Sequence, residues 1–224
     1  MPIPPLPRPR PARVILAGRY ARLEPLDADR HGRELFAASY AAGARERFRF
    51  LREDADPGTF AAWLAAASTA VDPLFFAVVD RASERCEGRQ ALLRIVPEHG
   101  VVEVGHILWG PAIARTRVAT EALHLTARYV FATLGYRRLE WKCDAANAAS
   151  RRAAERFGFA YEGSFRQHLV VKGRNRDTAW FAMIDRDWPA IAAAHEDWLA
   201  PENFDPEGGQ RTPLRGPWRA EAQR

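Results

Sequence analysis

A single glutamate interrupts an apolar run near the middle of the chain. Glu103 stands within "VVEV" (101–104), and a charged residue is rarely buried unless it is paired. A carboxylate whose pKa is raised by burial is a suitable general base. The alternative is a solvent-facing strand position. His106 is a second candidate because histidine titrates near neutrality, but strand alternation predicts that it faces away from Glu103.

The stretch "ARTRVATEA" (114–122) predicts a helix N-terminus that could bind an anion. Free backbone N–H groups and the helix dipole favour negative charge there. Arginines stand where a phosphate-binding loop usually carries glycines, although the amides that would bind phosphate belong to the backbone. The alternative is that Thr116 only caps a structural helix.

These residues fall in a predicted strand–helix–strand unit. The strand covers 101–110, the helix 116–134 and the second strand 137–144. Apolar residues at 3–4 spacing indicate the helix, and Gly135 closes it. Because such crossovers are right-handed, the helix N-terminus should lie at the carboxyl end of the first strand. A short helix follows from about Ala148 to Phe157, with Asn147 at its N-cap.

The remaining elements predict one mixed α/β domain. A strand over 18–26 ends at Pro25, a helix follows Asp27, and a second helix covers 56–68. Strands over 74–80 and 88–96 precede the unit, and a hairpin turning at 172–173 and a helix over 185–199 follow it. We expect residues 1–13 to form a disordered Pro/Arg-rich leader, 14–200 the domain and 201–224 a loose tail.

Composition excludes several classes of protein. The 47% hydrophobic content and 7 Trp in 224 residues argue for a real core, and no apolar run reaches the roughly 18 residues needed to span a bilayer. The net charge of +5 is spread too evenly for a nucleic-acid interface. Cys86 and Cys143 lack metal or redox spacing, which favours reduced thiols in the cytoplasm. Glu121 and His124 form only one copy of a di-iron motif, so we expect no metal.

The segment "LGYRRLEWKCDAANAASRRAAERFGFAYEG" (134–163) resembles the signature of the GNAT N-acetyltransferases, especially the RimJ/RimL-like branch. Asn147 and Ser150 match the N-x-x-S opening of the family's fourth helix, and "ERFGF" (155–159) matches its E-x-x-G-F ending. "EVGHILWGP" (103–111) resembles the fourth strand, and "ATEA" (119–122) the start of the coenzyme-binding helix. In element order the resemblance runs from Val14 to Leu199. It implies the GNAT fold, an α/β (α+β mixed) architecture whose strongly twisted mixed sheet of about seven strands carries helices on both faces.

The resemblance implies acetyl-coenzyme A as the acetyl donor and a primary amine as the acceptor. The pantetheine arm would pair with the backbone around Leu108 and Trp109, where two strands splay apart. A backbone N–H of that strand would stabilise the negative oxygen of a tetrahedral intermediate. Asn147 would contact the coenzyme. The pyrophosphate would bind the amides of Arg115, Thr116, Arg117, Val118, Ala119 and Thr120.

The chain departs from the family's Q/R-x-x-G-x-G/A loop, which aligns on Ala114, Arg117 and Ala119. Glycine mainly offers close approach and backbone freedom. Arg117 must therefore keep helical dihedrals and turn its side chain away from the pyrophosphate. Arg115 and Arg117 could then add charge toward the ribose 3′-phosphate.

The resemblance also implies catalytic roles. The amine must lose a proton before it attacks, and Glu103 or a water chain would take that proton. Ala154 replaces the tyrosine acid found in many members. Ser150 is therefore the candidate proton donor to the leaving thiolate, with a local backbone hydrogen bond as the alternative. The acceptor-side candidates are His106 and the hairpin residues Arg174 and Arg176, although the hairpin could simply be solvated.

Two classes of function follow. One is an N-acetyltransferase whose acceptor is either a protein N-terminal α-amine or a small-molecule amine. The other is a catalytically degenerate acyl-coenzyme A sensor, which the missing tyrosine and glycine favour. We expect acetyl-coenzyme A and an amine as partners, with no membrane or nucleic acid. The aromatic C-terminal helix could support a homodimer or merely cover the core.

Overall fold

Eight strands form one mixed sheet in the computed structural model, which describes residues 5–216. The strands lie in the order β1-β2-β3-β4-β5-β6-β8-β7. The pair β5–β6 is parallel, and the other neighbouring pairs are antiparallel. This confirms the predicted mixed α/β fold. The strands are β1 (Leu16–Ala17), β2 (Ala21–Pro25), β3 (Leu74–Asp80), β4 (Arg85–Val96), β5 (Val101–Trp109), β6 (Arg138–Asp144), β7 (Ala160–Val171) and β8 (Arg174–Ile184).

Helices cover both faces of the sheet. Alternating residues of β3 separate the two cores: Phe76 packs with α4, α5 and α6, and Phe75 packs with α1 and α3. Strand β3 lies between these two cores, so nearly all its residues are buried on both faces. The helices are α1 (Ala28–Tyr40), α2 (Ala44–Phe48), α3 (Phe60–Thr69), α4 (Arg117–Arg128), α5 (Ala148–Arg156) and α6 (Trp188–Leu199).

Helix α4 follows β5 and leads into β6, as the pattern of residues 101–144 predicts. Its N-cap is Thr116, whose side chain accepts a hydrogen bond from the Val118 amide. A π-helical turn, Tyr129–Thr133, extends the helix. The chain then reverses at Gly135, which has φ +67°, in the left-handed region that glycine adopts without strain.

Two short elements were absent from the sequence prediction. Strand β1 has two residues and α2 has five, so neither is long enough to show a hydrophobic period. The predicted helix over 56–68 begins as a 3-10 turn, Pro57–Thr59, and continues as α3. Asp27 caps α1 by accepting from the Arg30 amide, and Pro25 ends β2, as expected.

The described parts of both terminal segments contact the domain. In the leader, the Ala12 amide donates to the Tyr129 hydroxyl at 2.9 Å. In the tail, Phe204 and Leu214 are buried, and Gln210 accepts a hydrogen bond from the Trp198 indole at 3.1 Å. Residues 1–4 and 217–224, which belong to the predicted disordered leader and loose tail, lie outside the described residues, and the domain limits stay a prediction.

Candidate active site

Strands β5 and β6 pair over only four residues before they separate. Their ladder runs from Val101–Arg138 to Val104–Trp141, while β5 continues to Trp109 and β6 to Asp144. A cavity of about 430 Å³, the central cavity, lies where they part. Its wall includes Glu103, His106, Trp141, Lys142, Cys143, Asn147, Ser150, His168, Arg176 and Thr178.

A β-bulge shapes the wall of the central cavity on β5. The register with β4 shifts between Arg89–Leu108 and Ala91–Gly105, and His106 has φ +49°. A bulge breaks the alternation of side chains between the two faces. His106 consequently lines the same cavity as Glu103, so the prediction that they face opposite sides was wrong because it assumed a regular strand.

A buried arginine, Arg89, stabilises the bulge through a hydrogen bond to its backbone. The Arg89 side chain is only 2% exposed, and its guanidinium donates to the His106 carbonyl oxygen at 2.9 Å and to Glu53 Oε1 at 3.2 Å. It also lies 4.2 Å from the centre of the Trp63 ring, a cation–π contact. Arg89 thereby fixes the backbone from which His106 projects.

Glu53 joins the same network at the His106 ring. Its Oε1 lies 3.3 Å from His106 Nδ1. Burial alone would raise the pKa of Glu53, but the hydrogen bond from His106 and the charge of Arg89 outweigh it and hold the pKa at about 2. An ionised carboxylate at Nδ1 orients the imidazole and favours a proton on Nδ1.

Glu103 is buried among cations. Its carboxylate lies 3.0 Å from Lys142 Nζ and 3.3 Å from Arg94 Nε. Lys142 also contacts Glu140 at 2.6 Å and the Trp180 ring at 4.0 Å. Burial raises the pKa of Glu103, and the charge of Lys142 only partly opposes this rise. The carboxylate can therefore accept a proton more readily than an exposed glutamate can.

The N-terminus of α5 brings Asn147 and Ser150 to the other side of the cavity. Asn147 Oδ1 caps the helix by accepting from the Ser150 amide at 3.0 Å. Ser150 Oγ accepts from the Trp141 indole at 2.9 Å. Burial raises the pKa of the Cys143 thiol, and a hydrogen bond from Ser150 opposes that rise. Ser150 is thus held by its neighbours while it lines the cavity.

The N-terminus of α4 presents backbone amides. Among the described residues, no hydrogen-bond partner is found for the amides of Arg115, Arg117 and Ala119. Arg115 has φ +65°, and a left-handed residue just before a helix makes a concave arrangement of N–H groups that suits an anion. The Arg117 guanidinium stacks 4.5 Å from the Tyr20 ring and 5.2 Å from the Phe204 ring, and residue 117 is the first of the helix, with no positive φ to require glycine.

The predicted coenzyme residues are distributed over two regions. Val118, Ala119 and Thr120 have buried side chains, so they can offer mainly backbone to a ligand. None of residues 115–120 lines the central cavity. The residues of β5 that line it are 103–107. Leu108 and Trp109 lie beyond this wall, paired with β4, and the Trp109 indole donates to Gln90 at 3.2 Å.

The structure separates the two predicted hairpin arginines. Arg176 lines the central cavity with Thr178, two residues along β8. Arg174 is exposed beside the hairpin turn, where it pairs with Val171. Lys172, at the tip, donates to the carbonyl oxygens of Phe48 and Glu53 at 3.0 and 2.8 Å and forms an ion pair with Asp54 at 3.2 Å. We call this set of contacts the hairpin clasp.

Several residues in or behind the cavity wall were missed by the sequence analysis. Lys142 carried a usable signal, because it stands in the strand "RLEWKCD" between Trp141 and Cys143. Arg89 carried little, because it stands between Gly88 and Gln90 rather than in an apolar run. Glu53 carried none: it belongs to an irregular loop, and only the tertiary structure brings it to His106.

The Glu121–His124 pair has structural roles. Glu121 accepts hydrogen bonds from the amides of Arg19, Tyr20 and Ala21 at 2.8, 2.5 and 2.6 Å, so its oxygens close the turn before β2. Burial lowers the pKa of His124 to about 4. Within residues 5–216, no cluster of three or more metal-ligating side chains is found.

No helix in the described part of the chain is long and apolar enough to cross a bilayer.

Comparison with known proteins agrees with this fold. A crystal structure of a GCN5-related N-acetyltransferase from Brucella melitensis is 58% identical, covers 93% of this chain and 96% of its own, and superposes with a TM-score of 0.91. A probable acetyltransferase of the GNAT family from Chromobacterium violaceum ATCC 12472 is 40% identical, with coverages of 85% and 98% and a TM-score of 0.76.

A curated sequence relative is more distant. The uncharacterized N-acetyltransferase p20 of Bacillus licheniformis is 26% identical over 117 residues, which are 50% of this chain and 63% of the relative. The chain therefore aligns with less than two thirds of that protein. Residues 21–160 match the acetyltransferase (GNAT) domain family. On this match, which spans more than half of its length, the chain belongs to the GNAT family of acyl-coenzyme A-dependent N-acetyltransferases.

Proposed function

We propose that this protein transfers an acetyl group from acetyl-coenzyme A to a primary amine by direct attack in a ternary complex. The observation that carries the proposal is the central cavity at the point where β5 and β6 separate. It brings a buried carboxylate, Glu103, and the start of α5 to one opening. Donor and acceptor can meet there without a covalent enzyme intermediate.

The donor side of the proposal uses helix N-termini. The unpartnered amides near Arg115 and Ala119 would hold the pyrophosphate, and Asn147 and Ser150 would contact the coenzyme nearer its sulfur. The side-chain amide nitrogen of Asn147 is available for this contact, because only its oxygen is used in capping α5. The open edge of β5 beyond Val104 would pair with the pantetheine arm.

The acceptor side of the proposal uses Glu103 as the base. With its pKa raised by burial, Glu103 would take the proton that the amine must lose, directly or through a water. Ser150 would give a proton to the leaving thiolate. Its hydroxyl oxygen already accepts from Trp141, so its proton is the part that can be donated, and the coenzyme sulfur would replace Cys143 as the acceptor. His106, held by Glu53, would border the acceptor.

A second candidate function rests on Ala154. The position that carries a tyrosine acid in many relatives is here a fully buried alanine on α5, which cannot donate a proton. This favours a coenzyme sensor without catalysis. We place the enzyme first because Ser150 offers a hydroxyl at the same helix. A RimJ/RimL-like preference for protein N-termini, and a cytoplasmic location where acetyl-coenzyme A is available, belong to the same proposal.

The test is mass spectrometry of amines and protein N-termini after incubation with acetyl-coenzyme A, with coenzyme binding measured in parallel. The enzyme proposal expects a gain of one acetyl group on an acceptor, and a loss of turnover in Ser150→Ala that is much larger than any loss of coenzyme affinity. Tight coenzyme binding without transfer to any amine would favour the sensor. Full turnover in Ser150→Ala would remove Ser150 from the mechanism.

A further inference from the structure

The charges around the central cavity are not balanced. Its wall contains five cations and three carboxylates: Arg47, Arg52, Arg94, Lys142 and Arg176 against Asp72, Glu103 and Asp144. Most are engaged. Arg94 and Lys142 share Glu103, and the Arg47 guanidinium donates to three backbone carbonyl oxygens. Among the described residues, Arg52 and Arg176 are the two wall cations for which neither an ion pair nor a side-chain hydrogen bond is found.

Arg176 is the more constrained of the two. It is half-buried on β8, and no carboxylate within 4.0 Å of its guanidinium is found among the described residues. Its Nε has no hydrogen-bond partner within residues 5–216. Burial lowers the pKa of Arg176, Asp144 opposes this, and the nearby charge of Arg52 lowers it further. Both side chains line the same cavity, Arg176 from the strand and the exposed Arg52 from the loop.

The fold keeps this pair together. Arg176 projects from a paired strand beside Thr178. Arg52 belongs to the loop that the hairpin clasp ties to the tip of the β7–β8 hairpin through Lys172. Contacts outside the cavity therefore fix the backbone at both arginines. An anion that contacts both guanidinium groups would offset the repulsion between their charges.

We infer that the acceptor amine carries an anionic group, a carboxylate or a phosphate, which Arg176 binds with the help of Arg52. The guanidinium presents paired donors that match either anion. The inference rests on the proposed acetyl transfer and adds the chemical class of its acceptor. The two arginines lie on β8 and on the loop before α3, and neither belongs to α4.

The test compares amines that differ only in the anionic group. The pairs are L-alanine with L-alaninamide, phosphoethanolamine with ethanolamine, and an Ala-Glu-Ala peptide with Ala-Gln-Ala, both blocked as C-terminal amides. We expect a kcat/KM at least about tenfold higher for the anionic member of one pair, as a charge-assisted hydrogen bond provides. In Arg176→Gln this ratio should fall to near 1, and in Arg176→Lys it should be partly restored.

Matched controls separate recognition from folding. Arg166→Gln changes an exposed arginine of neighbouring β7 outside the cavity wall, and should keep the ratio. Acetyl-coenzyme A affinity should be the same in all variants. Equal rates for charged and neutral members, or a ratio that survives in Arg176→Gln, would overturn the inference while leaving acetyl transfer intact.

The failure of the proposed function has a different signature. Retained coenzyme binding with transfer to no amine would contradict the acetyltransferase. The inference would then be judged by calorimetric binding of the same pairs to the coenzyme-loaded protein. Preferential binding of an anionic member that is lost in Arg176→Gln would support it, and equal or absent binding of both members would overturn it.

Discussion

Glu103 is subject to two opposing influences. Removal from water disfavours its charged form, whereas Lys142 and Arg94 favour it. Burial prevails, so the pKa is raised and the carboxylate remains protonated to a higher pH than in the unfolded chain. A base of this kind loses activity as the pH falls through its pKa.

We expect Glu103→Gln to lower kcat by about 10²- to 10⁴-fold, the range of general-base catalysis. The rise of rate with pH that Glu103 deprotonation produces should also disappear, which a pH–rate profile of wild type and variant will show. Glu140→Gln is the matched control, because Glu140 shares Lys142 but does not line the central cavity. A Glu103→Gln profile that keeps the acid limb would assign the base elsewhere, with His106 next.

Glu53→Gln should destabilise the fold by about 2–3 kcal/mol, because it removes charge-assisted hydrogen bonds to buried Arg89 and to His106. The pKa of Glu53 is lowered to about 2. Its stabilisation is therefore present above the unfolded pKa of about 4.3 and is lost as the pH falls toward 2. Denaturant unfolding between pH 2 and pH 7 should show that acid-dependent loss in wild type and less of it in the variant.

Asp54→Asn gives the control for Glu53. Asp54 is the neighbouring carboxylate, is mostly exposed and pairs only at the surface with Lys172, so its removal should cost less than about 1 kcal/mol. If the two variants lost equal stability, the buried network would contribute nothing beyond a surface ion pair.

At the scale of elements, the start of α4 shows why the loop before this helix does not require glycine at residue 117. The left-handed dihedral falls on Arg115, outside the helix, and Arg117 begins the helix with its side chain on two aromatic rings. The sequence predicted that the Arg117 side chain turns away from a bound pyrophosphate, and in the structure that side chain packs on Tyr20 and Phe204. Tyr20 and Phe204 are distant from Arg117 in the sequence, so this contact could not be predicted.

Arg117→Ala should leave acetyl-coenzyme A affinity within about twofold in calorimetric titration, because the amides stay in place. It should cost about 0.5–1 kcal/mol of stability through the lost cation–π contacts. Arg115→Ala, measured beside it, tests the remaining arginine of the loop. A tenfold loss of affinity in Arg117→Ala would show that its charge reaches the coenzyme.

The hairpin clasp joins the tip of the β7–β8 hairpin to the loop that contains Glu53. Lys172→Met keeps the aliphatic stem but removes the donors to the loop carbonyl oxygens. We expect faster amide exchange over 48–54 and a higher KM for the acceptor, with kcat at saturating acceptor little changed. Unaltered exchange in that segment would mean that the loop is held by its own packing.

At the scale of the molecule, the order and type of the long elements followed from periodicity and capping, and the βαβ unit located the site. The irregular features did not follow. The bulge at His106, the loop that carries Glu53 and the four-pair ladder are set by tertiary contacts, for which a strand or helix pattern holds no signal. Glu103 and Ser150 could therefore be named as candidates from the sequence, but the contacts around them could not be predicted.

The C-terminal segment contributes to the whole fold. Truncation after Ala200 removes buried Phe204 and Leu214 and should lower stability by about 3–6 kcal/mol, at about 1.5–3 kcal/mol for each side chain. Thermal unfolding will measure it, with truncation after Gly216 as the control. Equal melting temperatures for the two truncations would exclude a stabilising role for residues 201–216.

The parting of β5 from β6 after Val104 and Trp141 has a consequence for inhibition. Under the proposed mechanism, the coenzyme sulfur and the acceptor nitrogen meet in this one opening. A compound that joins the two substrates through a short bridge would occupy both sites while losing translational freedom only once. For this chain, the acceptor half of such a bisubstrate compound should end in a carboxylate or phosphate, and its advantage over an uncharged analogue should vanish in Arg176→Gln.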